Sequence, residues 1–93
     1  MKEKEDFYKE LRSKLKETTI FPAKYMFKFI IPTNNNKEEK IKNMFNHLGA
    51  VITTKSSKSN KYKSFTIIVK MKSVDAVIHK YEEVDTIGGV ISL

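Results

Sequence analysis

Apolar positions along the chain follow two periods. From Tyr25 to Ile31 they alternate. Tyr25, Phe27, Phe29 and Ile31 take one face of an extended segment, and Met26, Lys28 and Ile30 take the other. Alternation returns from Tyr62 to Lys72, where Phe65, Ile67, Val69 and Met71 interleave with Ser64, Thr66, Ile68, Lys70 and Lys72. These runs predict the two long strands of a sheet, with the aromatic and aliphatic sets as its core face. Ala50 to Ser56 predicts a shorter strand, with Val51 and Thr53 on one side and Ile52 and Thr54 on the other. Val90 to Leu93 predicts a last short strand.

Helical spacing fills the gaps. Phe7, Leu11 and Leu15 form one narrow stripe in a helix over 3–16. Ile41, Met44, Phe45 and Leu48 form the stripe of a second helix, and Val74, Val77, Ile78, Tyr81 and Val84 that of a third. Small polar residues and breakers separate the elements. Pro32 lacks the N–H a ladder needs and stops the first strand. Thr33 to Asn36 reads as a loop ending in an N-cap, and Ser73 as the cap of the third helix. Gly49 and Gly88-Gly89 break the helices before them. Ser57 to Asn60 reads as the turn between the second and third strands, and Asn tolerates a positive φ there.

After the leading helix the order is strand, helix, strand, strand, helix, strand. Two strand–helix–strand units with right-handed crossovers predict an α+β, ferredoxin-like (split βαβ) domain. It has a four-stranded antiparallel sheet, two helices on one face and an extra N-terminal helix. The expected division is an amphipathic helix over residues 1–18 and the domain over residues 19–93.

Charge changes the picture more than composition does. The formal net charge is +7, and residues 50–73 carry Lys55, Lys58, Lys61, Lys63, Lys70 and Lys72 with no acid. Such asymmetry steers anionic partners to one surface, although lysines also serve to solvate a hairpin and protect a sheet edge. The chain has no cysteine, which excludes disulfides and thiolate metal sites. Met1 to Asp6 is too charged for a signal peptide, and no apolar run approaches the length of a membrane span. A cytoplasmic, soluble protein without membrane attachment is expected.

Three classes of function can be weighed on these residues. Catalysis finds no support: His47 and His79 fall on different helices, and no nucleophile elbow or glycine-rich phosphate loop is present. Acylphosphatases share the predicted fold but use an arginine in the loop after the first strand. Here Pro32 to Lys37 has none, and Arg12 lies in the leading helix. No catalytic residue, cofactor or metal ligand is therefore assigned. RNA-recognition modules stack bases on aromatics of the open sheet face. Here Phe65 shares its parity with core residues, and Lys63 and Ile68 stand where stacking aromatics belong. Weak, salt-sensitive phosphate contact through Lys55, Lys58, Lys61 and Lys63 remains as an alternative.

A non-enzymatic regulatory or binding module is the preferred expectation. Its candidate partner face is Met26, Lys28, Ile30, Ile68 and Lys70, looking out from the open side of the sheet. The uncharged last strand offers a second route, edge pairing. Either suits a protein partner, a homodimer or a small ligand. The competing expectation is that the leading helix folds back over one of these surfaces.

The run Phe21-Pro22, then Tyr25 to Pro32, resembles the hallmark of the YbeD-like family, also called domain of unknown function 493. Ser56-Ser57-Lys58 with Tyr62 and Ser64, Tyr81, and Ile87-Gly88 agree with it, so the resemblance spans about residues 20–93. The hairpin departs from the family pattern, with Ser59-Asn60-Lys61 where a glycine is usual after Ser-Lys. The resemblance implies a small bacterial cytoplasmic protein with a fold likened to ACT regulatory domains. Some relatives carry a label connected with lipoate metabolism, for which these residues show no lipoyl-accepting motif. It implies no catalytic or binding residue.

Overall fold

A computed structural model describes residues 2–33 and 36–93, with the backbone alone at 2–4. The elements run α1 (Lys2–Thr18), β1 (Ala23–Pro32), α2 (Lys37–Asn46), β2 (Val51–Ser56), β3 (Tyr62–Met71), α3 (Val74–Asp85) and β4 (Ile91–Ser92). The four strands form one antiparallel sheet in the order β2-β3-β1-β4. The most apolar strands, β1 and β3, lie in the middle and pair over their full length, from Ala23 opposite Met71 to Pro32 opposite Tyr62.

Parity decides which side becomes the interior. Phe27, Phe29, Ile31, Phe65, Ile67, Val69 and Met71 are all buried, and all share the predicted core face. Ile41 and Phe45 of α2, and Val77, Tyr81 and Val84 of α3, complete that core. Aromatic rings dominate it. Phe27 lies 5.1 Å from both Phe45 and Tyr81, and the hydroxyls of Tyr25 and Tyr81 hydrogen-bond at 2.9 Å. The density of aromatics in β1 is thus accounted for by folding.

The ends of the elements follow local chemistry, with some departures from the sequence reading. The Ser73 hydroxyl accepts a hydrogen bond from the Ala76 N–H at 3.1 Å, as a cap should. Asn36 stands at the cap position of α2, but its side chain makes no capping bond. Asn34 and Asn35 of the predicted loop lie outside the described residues. Leu48, predicted in the core, is at the surface because α2 ends at Asn46, so the helical stripe does not extend to it. Pro32 is the last residue of β1 rather than the first beyond it. Gly88 and Gly89 adopt φ of +78° and +71°, a left-handed pair open to glycine that turns the chain from α3 into β4.

The leading helix docks on the helical layer. Leu15 is 5% exposed, Phe7 packs edge-on against Tyr81, the Tyr8 hydroxyl donates to Asp85, and Arg12 pairs with Asp75. All these partners belong to α3. The helix therefore covers neither the open side of the sheet nor the last strand.

Candidate functional site

The side of the sheet away from the helices is a grid fixed by strand pairing. Met26 stands opposite Ile68, and Ile68 opposite Val51, so these three make one apolar row across β1, β3 and β2. With strands ~4.8 Å apart, the row is ~10 Å long. The next row places Lys28 opposite Thr66 and Thr53, and the Leu93 N–H donates to the Lys28 carbonyl at 2.9 Å. The third row joins Lys55, Ser64, Ile30 and Ile91. Beyond the first row, Lys24 faces Lys70. Met26 is 50% exposed and Val51 64%, far above Phe27 and Ile67 on the opposite face of the sheet, which are fully buried. Among the described residues no helix packs over this face.

The structure brings the five predicted partner-face residues together on this side. The alternation of β2 alone leaves the side of Val51 and Thr53 open and does not place Tyr62 here, and the last strand enters the sequence reading as an edge while pairing seats its Ile91 on this face opposite Ile30. Tyr62 shares parity with Ser64 and could have been found by extending that alternation two residues. It is half exposed and lines a shallow depression of about 360 Å³ with Ile30, Lys55 and Lys58.

The hairpin lysines divide. The Ser57 N–H donates to the Tyr62 carbonyl at 2.8 Å, so Lys58 to Lys61 form the loop, one residue later than predicted. Asn60 takes φ +56°, the positive value expected of asparagine there. The Thr33 hydroxyl and N–H donate to the carbonyls of Asn60 and Lys61 at 2.6 and 3.0 Å, which ties this loop to the end of β1. Lys55, Lys58 and Lys61 are exposed. Lys63 is different. It shares parity with Phe65, points to the helical layer and pairs with Glu38 of α2 at 2.8 Å. It holds the fold together rather than standing with the other three.

Electrostatics separate the two layers. All eleven acids fall within the three helices, together with ten of the eighteen Lys and Arg residues. The strands, turns and loops hold the other eight cations, all lysines, and no acid. Every ion pair found among the described residues has its acid on a helix. Glu38 is held below the ordinary carboxylate range by hydrogen bonds from Lys63 and Lys42, and Asp75 by its bond from Arg12. Lys24, Lys28, Lys55 and Lys70 on the open face have no such partner among the described residues.

The family model for a protein of unknown function, DUF493, matches residues 16–93. The chain belongs to the DUF493 family. The match takes in the sheet, α2, α3 and the last turn of α1, so the whole open face lies inside the family domain. Comparison with curated proteins and with solved structures gives no significant match.

The two histidines of this DUF493 chain lie apart, at the end of one helix and on another. His47 caps the C-terminus of α2 and His79 is an exposed residue of α3, 3.7 Å from Glu82. Among the described residues no group of three or more His, Asp or Glu side chains could hold a metal. No helix among them is long and apolar enough to cross a membrane.

Proposed function

We propose that the chain is a non-enzymatic regulatory or binding module that works through the open face of its sheet. In this reading the β2-β3-β1-β4 sheet with α2 and α3 behind it is a ferredoxin-like domain of the ACT-like kind, acting in the bacterial cytoplasm. The observation that carries the proposal is the uncovered row Val51–Ile68–Met26, bordered by lysines without counter-charges. An apolar row bordered by polar groups is the anatomy of a recognition surface. The leading helix, which could have hidden it, is engaged with α3 instead.

Lysine footprinting tests this. The purified protein and the protein in native lysate are acetylated, and modification is compared at Lys28 and Lys70 with Lys14 and Lys40 as helical references. Selective protection of Lys28 and Lys70 in lysate supports the reading. Equal modification at all four in both samples refutes it.

A second reading rests on Lys55, Lys58 and Lys61 beside Tyr62, which suit weak phosphate contact. Binding of this kind falls steeply with salt. Contact dominated by the apolar row changes little.

A further inference from the structure

We infer that the open face receives an acidic amphipathic segment of a second protein. The inference rests on the binding reading above and adds the chemistry of the partner. Charge gives the first reason. A face with Lys24, Lys28, Lys55 and Lys70, and no acid among its strands, attracts carboxylates or phosphates and repels basic surfaces. All acids of the chain lie on helices, so none on the sheet itself competes for these lysines.

The apolar row narrows the choice. Val51, Ile68 and Met26 offer aliphatic surface that is satisfied by aliphatic side chains, which nucleic acids lack. One aromatic, Tyr62, stands on this side, at its hairpin border, so bases would find no stacking platform along the strands. An anionic membrane suits the lysines but not the row between them. The row is three residues, ~10 Å, long and offers little surface to insert among acyl chains. A second copy meeting face to face would bring like charges together. A segment with branched aliphatic side chains on one side and glutamates or aspartates along its borders satisfies both the row and its lysines.

The test uses the full chain and a synthetic amphipathic peptide of leucine and glutamate at helical spacing. Controls are the same composition scrambled, the same pattern with lysine for glutamate, polyuridylate, and vesicles of equal parts phosphatidylcholine and phosphatidylglycerol. At physiological salt the acidic amphipathic peptide is expected to bind roughly tenfold more tightly than its scramble. Amide shifts should be confined to the open-face strands. Ile68→Ser and Lys28→Gln should each weaken binding while leaving the rest of the amide spectrum unchanged. Equal binding of the scramble, or shifts on the helices, overturns the inference. So does preferential binding of polyuridylate or vesicles at these strands. If Lys28 and Lys70 are nonetheless protected in lysate, the binding face stands and the acidic partner alone is rejected.

Discussion

Met26 and Ile68 face each other directly across the β1–β3 ladder, on the side of the sheet that no helix covers. Their chain neighbours Phe27 and Ile67 are also paired, and both are fully buried on the other side. One residue of displacement therefore separates a surface position from a core position. Ile68→Thr keeps a β-branched residue in the strand and should change stability by less than about 1 kcal/mol. Phe27→Ala opens a cavity among Phe29, Phe45 and Tyr81 and should cost about 3–5 kcal/mol. Urea denaturation of both variants measures the contrast. Equal losses would show that Ile68 supports the fold and is not a free surface position.

The docking of α1 has its own signature. Its apolar stripe is too narrow to hold a helix alone in water, so contacts with α3 must stabilise it. Leu15 is buried, and the Tyr8 hydroxyl donates to Asp85. Tyr8→Phe removes that bond and keeps the ring against Phe7, at a cost of about 0.5–1.5 kcal/mol. Hydrogen exchange should show α1 amides protected in the wild type and faster in Leu15→Ala, with the β1 and β3 amides least affected. Exchange of α1 at the rate of an unstructured peptide in the wild type would refute the docked position.

Alkaline stability follows from the buried Tyr81 and the partly buried Tyr8. Burial, then the hydrogen bond with Tyr25, pushes the Tyr81 phenol well above its ordinary value; burial and Asp85 do the same to Tyr8. A folded-state pKa raised above the unfolded one means that its contribution is fully present below about pH 10, the unfolded value. It is lost as pH rises further, because the unfolded tyrosine ionises first. Between pH 10 and 11 the buried Tyr81 should lower stability by about 1 kcal/mol, and the more accessible Tyr8 by less. Tyr81→Phe should be less stable at neutral pH and show a shallower alkaline decline. Parallel declines for wild type and variant would show that Tyr81 ionises as readily in the fold as outside it.

Much of this was legible in sequence because a period of two is a strong constraint. The alternation in β1 and β3 assigns Phe27 and Phe65 inward and Met26 and Ile68 outward, and the structure agrees. The hairpin loop lies one residue later than expected, yet the sides survive. That change shifts the pairing of β2 on β3 by two residues, and an even shift keeps every side chain on its face. Elements with fewer periods were less legible. The periodicity of α2 predicts Leu48 in its stripe because spacing alone does not mark where the last turn ends. Lys63 belongs with the other hairpin lysines by sequence position, but its parity with Phe65 sends it toward the helices, where it pairs with Glu38. The seat of α1 was not legible at all. A narrow stripe states that a helix needs a partner, and only tertiary structure shows that α3 is that partner.

Self-association through the open face is testable by the same charge argument. Two copies meeting there would each bring Lys24, Lys28, Lys55 and Lys70 against a face that has no acid of its own. In solvent such repulsion is modest per pair and reaches about one Debye length, ~8 Å at physiological salt. Over several lysines in one plane it opposes a contact whose apolar row is only three residues across. Ile68→Lys breaks the row and adds a further like charge beside Met26. In sedimentation velocity the wild type should show no association that this substitution dissolves, at low or physiological salt. A wild-type dimer that reverts to monomer in Ile68→Lys would show that copies do pair through this face. A dimer unaffected by the substitution would direct attention to the sheet edge at Ile91 and Ser92.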